Sequence, residues 1–215
     1  RIFLSRISKV FASGKMHKKL LDALGYRGEV VITKGVGIYN IVDIPPFEPK
    51  SEIRNFIYVG RFIPCKNLEN LVAAFEKFPD CTLTMVGFGG LDKRLREISP
   101  KNVIFTGAVE NALLPKYYRQ NDVFILPSFS ETWGVVVEEA LNNGLPVIIS
   151  ENVGCNGEAV EDGVNGAVFR FSDKDPIAGA IRRIREPAFY NKISQNIRKT
   201  DFREIARRQI DCYLA

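Results

Sequence analysis

A regular alternation of short apolar runs with helical segments constrains the fold of this chain more than any other feature. Runs rich in Val, Ile, Leu and Phe begin at Phe56, Thr82, Asn102, Asp122, Pro146 and Gly166. Segments with apolar residues at helical spacing separate most of these runs. Continuously apolar strands are buried on both faces, which is typical of parallel sheets. The alternation therefore predicts an α/β fold with a doubly wound parallel sheet of about six strands.

The segments on either side of this alternation have patterns of their own. Apolar residues at helical spacing predict helices within 3–11 and 16–24, and the β-branched "VVIT" at 30–33 predicts a short buried strand. Two adjacent prolines in "DIPPFEP", residues 43–49, exclude a helix or a central strand and predict a linker. The tail, residues 175–215, is predicted to be helical.

The net charge of +5 is distributed unevenly along the 215 residues. Residues 1–34 carry eight Lys/Arg and two Asp/Glu, residues 182–215 carry nine and four, and the segment between them carries thirteen and nineteen. Two solvated helical faces explain such basic ends, and attraction to an anionic surface is the alternative. Aromatic residues of an RNA-binding kind are not interleaved with the basic ones. An anionic partner is therefore expected to be a membrane, contacted peripherally, and no nucleic acid is expected.

The rarer residue types limit the chemistry that is open to the chain. Its four cysteines form no CxxC pair, so reduced thiols in a cytoplasmic protein are expected. His17 is the only histidine, which disfavours a His-based zinc site and a Ser-His-Asp triad. No apolar run approaches the roughly 18 residues of a membrane-spanning helix. The segment after Arg1 lacks the apolar region of a secretory signal and is interpreted as interior sequence.

Polar residues follow the predicted strands at the edge where a parallel sheet binds ligands. Gly60 lets the chain turn after the first strand, and Arg61 and Lys66 lie on the loop that follows. Two cations beside a helix N-terminus favour an anion such as a diphosphate. The "GFGG" at 87–90 is a weak dinucleotide fingerprint, and a tight turn into a helix is the favoured interpretation.

Two glutamates, Glu131 and Glu139, have seven residues between them and follow the strand that begins at Asp122. Thr132 is predicted to be the N-cap of a helix that starts at 133 or 134. Glu131 is then in the crevice loop, and Glu139 is about a turn and a half into the helix. The arrangement favours a polyhydroxylated, phosphorylated ligand. The alternative is that Glu139 is one more exposed helix charge.

These stretches resemble the family 4 (GT4) retaining glycosyltransferases of the GT-B fold. "PSFSETWGVVVEEALNNGLPVI" resembles their P-S-x-x-E-G-F-G segment, the second glutamate of an E-x7-E motif, and G-x-P-V-I. "VGRFIPCKNLENLVAAF" resembles V-G-R-x-x-x-x-K-G-x-x-x-L-I-x-A-F, and "NVGCNGEAVEDGVNGAVF" resembles G-G-x-x-E-x-V-x-D-G-x-N-G-x-L-V. "NVIFTGAVENALLPKYYRQNDVFILPS" resembles the family's V-x-F-x-G-x-V segment and the strand after it. The resemblance covers nearly the whole chain in the same order.

The resemblance implies roles for individual positions of this sequence. Arg61 and Lys66 would hold the donor diphosphate and stabilise the leaving nucleotide, and Glu131 would bind hydroxyls of the donor sugar. These three are the implied catalytic residues, and Glu139 would bind the ribose. The other implied donor-binding positions are Gly60, Gly107, Val109, Thr132, Trp133 and Gly134. The two glutamates thus hold opposite ends of one nucleotide-sugar. No metal and no cofactor is implied, because Arg61 and Lys66 would neutralise the charge of the diphosphate.

Some positions depart from the family pattern. Thr132 replaces the glycine after the first glutamate, and its Cβ narrows the room for the sugar. Asn67 replaces the glycine after Lys66, "TKGVG" from Thr33 replaces a P-N-G-V-D hinge, and Gly157 stands where the family often has proline. None of these differences removes Arg61, Lys66, Glu131 or Glu139, so the roles implied for these four residues are unchanged.

The resemblance also implies that the chain is one half of a GT-B fold. Residues 1–34 are expected to be the C-terminal remnant of the N-terminal domain, and residues 35–50 the interdomain linker. Residues 51–200 are expected to form the Rossmann-like domain that binds the nucleotide-sugar donor, and residues 201–215 a helix that crosses back toward the N-terminal domain. The acceptor half is missing from this sequence, so the fragment alone is expected to be inactive.

The function that the resemblance implies is hexosyl transfer with retention from a UDP-, GDP- or ADP-sugar to a glycan or lipid-linked acceptor. The expected setting is bacterial capsule or lipopolysaccharide synthesis, in the cytoplasm and at the inner face of its membrane. A nucleotide-sugar 2-epimerase shares the fold but lacks this E-x7-E setting, and a nucleotide-binding module would use the same loops without catalysis. An oxidoreductase built on "GFGG" needs an acidic residue about 20 positions after its first glycine, where Thr106 and Gly107 stand.

Overall fold

The computed structural model describes residues 4–38 and 40–214, which contain two parallel sheets. The smaller sheet consists of β1 (Lys9–Ala12) and β2 (Glu29–Ile32). Helix α1 (Lys15–Ala23) connects these two strands, as expected for a parallel pair.

The helix predicted within 3–11 is wrong. Residue 3 lies outside the described part of the chain, residues 4–6 form a short 3-10 turn, and β1 follows. β1 contains Val10 and Phe11, residue types that favour extended backbone, and β2 provides a strand for them to pair with. Strand pairing therefore overrides the helical spacing of a short segment. The structure does contain the helix predicted within 16–24 and the strand predicted at 30–33.

The larger sheet confirms the predicted fold class. Its six strands are β3 (Asn55–Val59), β4 (Thr82–Val86), β5 (Val103–Gly107), β6 (Val123–Leu126), β7 (Val147–Ser150) and β8 (Gly166–Phe169). All neighbouring pairs are parallel, and the order across the sheet is β5-β4-β3-β6-β7-β8. This is the order of a doubly wound Rossmann-like sheet, and it reverses between β3 and β6.

Among the described residues, one α-helix connects each pair of successive strands from β3 to β7, and three more α-helices follow β8. These helices are α2 (Leu68–Ala74), α3 (Asp92–Ile98), α4 (Leu114–Arg119), α5 (Val135–Asn142), α6 (Pro176–Ile184), α7 (Pro187–Ile197) and α8 (Phe202–Leu214). Every residue of β6 and β7 is buried, because helices pack on both faces of the central strands. No helix in the described part of the chain is long and apolar enough to cross a membrane.

A buried carboxylate fixes the start of the two central strands. The Asp122 side chain, 6% exposed, accepts hydrogen bonds from the backbone N–H groups of Arg54 (2.9 Å) and Asn55 (2.8 Å) and forms an ion pair with Lys50. Asp122 precedes β6, whereas Asn55 begins β3. Their connection holds the switch point of the sheet together at the end opposite the ligand crevice.

The C-terminal helix returns to the small sheet. The Tyr213 ring of α8 lies 4.7 Å from the Phe11 ring of β1, measured between centroids. The Gln209 side chain of α8 hydrogen-bonds to the backbone of Lys34 and Gly37. Of the described residues between 33 and 54, none lies in a helix or a strand. The start of this extended segment is therefore held by α8.

Candidate functional site

The loops after β3 and β6 meet at the carboxyl edge of the sheet, at the switch point. The Phe129 N–H donates to the carbonyl of Cys65 (2.8 Å), and the Asn67 side-chain amide donates to the carbonyl of Pro127 (3.1 Å). Asn67 is buried in a left-handed conformation, with φ of 61°. These contacts hold the cationic loop, residues 60–67, against the acidic loop, residues 127–134.

The glycine-rich turn after β4 packs directly on the cationic loop. The Phe62 N–H donates to the carbonyl of Phe88 (2.9 Å). A Cβ at Gly87, whose φ is 134°, would lie only 1.9 Å from the carbonyl oxygen of Gly60. The "GFGG" glycines thus permit a close approach of two loops, in agreement with the tight-turn interpretation.

A cavity of about 470 Å³ lies between the two loops and the small sheet. Lys66 and Glu131 line it as an ion pair, and their side chains are only 14% and 15% exposed. The predicted residues Gly60, Arg61, Thr132, Trp133 and Gly134 line the same cavity. The cavity thus contains two cations, Arg61 and Lys66, and one carboxylate, Glu131. Such a set can bind an anion beside a hydroxylated group.

A second cavity of 280 Å³ adjoins the first and shares Gly60, Arg61 and Val136 with it. Glu139 and Val109 line only this second cavity. The Tyr118 hydroxyl donates to the Glu139 carboxylate at 3.1 Å. Burial raises the pKa of Glu139 above its ordinary value, and this hydrogen bond partly opposes the rise. Glu139 is therefore a half-buried acceptor directed into a site and is not an exposed helix charge.

The two glutamates consequently lie in neighbouring compartments with Arg61 between them. Gly107 is set back from both compartments, where its carbonyl accepts the N–H of Gly87 (2.9 Å) at the end of β5. The following residues, Ala108 and Val109, line the second cavity.

Thr132 does not cap helix α5 as predicted. Gly134 is the residue before the helix, in a left-handed conformation with φ of 97°, and no side chain bonds to the helix end there. The backbone on either side of Thr132 is instead tied to another segment, because the carbonyls of Glu131 and Trp133 accept the N–H groups of Gly154 (2.9 Å) and Cys155 (3.0 Å). Pairing with the 153–155 segment keeps Thr132 out of a capping position, and its side chain is exposed.

Some residues at the site could not be identified from local sequence patterns. Ser13, His17 and Val36 line the first cavity on the side of the small sheet. The Ser13 hydroxyl lies 2.5 Å from Nδ1 of His17. Glu138, which precedes Glu139, is buried and accepts the indole N–H of Trp133 at 2.6 Å. His17 and Glu131 are 114 positions apart in the sequence, so only the fold brings them to one cavity.

Comparison with known proteins identifies a family for this chain. The family model "Glycosyl transferases group 1" matches residues 43–200. The sulfoquinovosyl transferase SQD2 of Arabidopsis thaliana is 33% identical over 140 residues, covering 64% of this chain. The UDP-Gal:alpha-D-GlcNAc-diphosphoundecaprenol alpha-1,3-galactosyltransferase of Escherichia coli is 28% identical over 186 residues, covering 75%. The sucrose-phosphate synthase structure from Thermosynechococcus elongatus superposes with a TM-score of 0.82 at 25% identity, covering 99% of this chain.

The chain spans only part of these relatives. The matched region is 27% of SQD2, 48% of the galactosyltransferase and 59% of the sucrose-phosphate synthase chain. Within the matched region, the family model covers both loops of the switch point, α5 and both cavity-lining glutamates. The chain therefore belongs to the group 1 glycosyltransferase family.

Proposed function

We propose that this chain is the donor-binding half of a GT4-type glycosyltransferase of the GT-B fold, which transfers a sugar with retention from a nucleotide-diphosphate-sugar. The observation that carries the proposal is the pair of adjoining cavities, with Glu131 in one, Glu139 in the other and Arg61 shared by both. A nucleotide-sugar has its sugar and its ribose on opposite sides of a diphosphate. The positions of the two carboxylates and the cation match that order.

The diphosphate is assigned to Arg61 and Lys66. Arg61 is exposed at the wall between the cavities, and Lys66 is in the first cavity beside Glu131. Lys66 is neutralised by Glu131, so a diphosphate that binds here competes with that carboxylate for the ammonium group. Glu131 is then free to accept hydrogen bonds from sugar hydroxyls, which are donors that a carboxylate binds well.

In the proposed reaction, the acceptor hydroxyl attacks the anomeric carbon on the face that the diphosphate leaves. No protein nucleophile is required, and the proton of the acceptor passes to the departing phosphate. Arg61 and Lys66 stabilise the charge that develops on that phosphate, and losing one such contact should cost about 3 kcal/mol at the transition state. The proposed mechanism uses no metal and no cofactor.

The proposed acceptor is a glycan or a lipid-linked sugar in bacterial cell-surface polysaccharide synthesis. The galactosyltransferase relative supports this assignment, because its name specifies a diphosphoundecaprenol acceptor. We place the protein in the cytoplasm, peripherally at the inner face of the membrane. The supporting observation is the excess of basic residues in segments 1–34 and 182–215.

The division of the chain that we propose follows the predicted boundaries. Residues 1–34 are assigned to the end of the N-terminal domain, 35–50 to the linker, 51–200 to the donor domain and 201–215 to the returning helix. The separate small sheet and the contacts of α8 with it support this division. We expect the 215-residue chain to bind donor without catalysing transfer.

Thermal shift of the 215-residue chain against UDP-, GDP- and ADP-sugars tests the donor assignment. One nucleotide class should raise the melting temperature in a concentration-dependent way, since a ligand that binds only the folded chain stabilises it. An Arg61→Ala variant should lose that shift. The proposal fails if no nucleotide-sugar and no nucleoside diphosphate stabilises the parent chain.

A further inference from the structure

Glu138 is a buried carboxylate next to the site. Its side chain lines neither the first nor the second cavity. It lies on α5, is only 3% exposed, and accepts two side-chain hydrogen bonds. The indole N–H of Trp133 donates to Oε2 at 2.6 Å, and the side-chain amide of Gln209 donates to Oε1 at 3.2 Å. Burying a carboxylate is costly, and these two donors partly offset that cost.

The Gln209 amide can donate to Glu138 only because its orientation is fixed from the other side. Its Nε2 also donates to the carbonyl of Lys34 (2.9 Å), and its Oε1 accepts the N–H of Gly37 (3.1 Å). A reversed amide would place two donors together at Gly37 and two acceptors together at Lys34. The nitrogen must therefore point toward Glu138, and position 138 needs an acceptor.

Trp133 belongs to the loop that carries Glu131. On one side, this loop is held by the backbone hydrogen bonds that Glu131 and Trp133 accept from Gly154 and Cys155. On the other side, the Trp133 side chain is held by Glu138. Trp133 is 3% exposed and lines the first cavity, so a shift of its ring would change the space beside Glu131.

We propose that Glu138 is a positioning residue, which fixes the 131–134 loop for the donor sugar and connects it through Gln209 to the turn at residues 34–37. This inference rests on the proposed function of the same site. Val36 of that turn lines the first cavity opposite the loop. The hydrogen-bonded series from the turn through Gln209 and Glu138 to Trp133 thus sets two walls of the sugar compartment together.

Calorimetric titration of variants tests the role of Glu138. The ligands are the nucleotide-sugar that stabilises the parent chain most in the thermal-shift panel and the corresponding nucleoside diphosphate. The variants are Glu138→Leu, Gln209→Leu and Trp133→Phe, with Arg207→Leu as the control. Arg207 is exposed on α8 and pairs only with Glu204 among the described residues. Glu138 also lines a third cavity, of about 450 Å³, so the leucine of Glu138→Leu has room to adjust.

The sugar's contribution is the ratio of the affinity for the nucleotide-sugar to the affinity for the nucleoside diphosphate. Each of the three variants should reduce this ratio about 5-fold or more, which is the scale of coupling between linked sites. Their affinity for the nucleoside diphosphate should stay within about 2-fold of the parent, because Arg61, Lys66 and Glu139 are unchanged. The Glu138→Leu/Gln209→Leu double variant should be no worse than Glu138→Leu alone, since both changes break one series of contacts. The control should match the parent for both ligands.

Several results would overturn the proposal. One is an unchanged gain from the sugar in folded Glu138→Leu, and another is an equal loss for both ligands, which indicates a general structural role. If Glu138→Leu does not fold, Gln209→Leu and Trp133→Phe decide, because each removes one hydrogen-bond donor of Glu138 and leaves its carboxylate in place. If the parent chain binds neither ligand, the proposed function itself is wrong. If the parent binds both ligands and the variants bind them equally well, only the role of Glu138 is wrong.

Discussion

Replacing Glu131 by Gln should change the binding of the donor sugar and the binding of the nucleoside diphosphate in different ways. The Glu131 carboxylate neutralises Lys66, and the two side chains are only 15% and 14% exposed. The glutamine oxygen keeps a hydrogen bond to Lys66 but carries no charge. The Lys66 ammonium is then more available to a diphosphate, whereas the sugar loses a charged acceptor.

The two effects differ in sign and in size. Weakening the competing ion pair should tighten nucleoside diphosphate binding by about 1 kcal/mol or more, at least about 5-fold, because exposed pairs reach that value and this pair is largely buried. Losing a hydrogen bond to a charged acceptor should reduce the affinity gained from the sugar by about 1.5–3 kcal/mol, roughly 10- to 150-fold. Glu131→Gln should thus bind the nucleoside diphosphate at least as well as the parent and the nucleotide-sugar more weakly.

Isothermal titration calorimetry of both ligands into parent and variant measures these differences. Glu161→Gln is a suitable control, because Glu161 is exposed and lines neither donor cavity. Equal losses for the two ligands in Glu131→Gln would refute the assignment of Glu131 to the sugar.

The remaining predictions concern the ribose, the diphosphate and the fold. Glu139→Gln should weaken nucleoside diphosphate and nucleotide-sugar alike. Burial raises the pKa of Glu139, so its carboxylate becomes protonated at a higher pH than an ordinary glutamate. The affinity for the nucleoside diphosphate should therefore fall as the pH decreases, with a midpoint above the ordinary glutamate pKa. Calorimetry should not find this pH dependence in Glu139→Gln. Arg61→Ala and Lys66→Ala should each weaken diphosphate binding by about 1.5–3 kcal/mol, and unchanged affinity in both would reject that assignment. Asp122→Ala should lower the free energy of unfolding in urea by about 3 kcal/mol, because it leaves buried backbone donors without their acceptor, whereas Glu69→Ala, which breaks an exposed pair, should change it by under about 1 kcal/mol.

The strands of the large sheet could be predicted because each is a continuous apolar run, and burial on both faces leaves such runs few alternatives. The sheet order brings the loops with Arg61 and Glu131 together, since they follow the neighbouring parallel strands β3 and β6, which end at the same edge of the sheet. β1 could not be predicted in the same way. Its four residues are too few to fix a period, and the pairing with β2 that decides its conformation lies 20 residues further along the chain.

Contacts over long sequence distances account for what local patterns missed at the site. Thr132 has the side chain of an N-cap, but the backbone pairs with Gly154 and Cys155, and Gly134 takes the place before the helix. Glu138 looks like a surface charge in the sequence. Its burial depends on Gln209, which is 71 positions away on a helix whose return to this surface no local pattern specifies.

A crystal structure of the 215-residue chain with the nucleotide-sugar selected by thermal shift tests the central claim most directly. We expect the ribose hydroxyls on Glu139 in the second cavity, the diphosphate on Arg61 and Lys66, and the sugar on Glu131 in the first cavity. We also expect the diphosphate to open the ion pair between Lys66 and Glu131. A nucleotide-sugar bound in the reverse direction, or bound outside the two cavities, would contradict the proposed function.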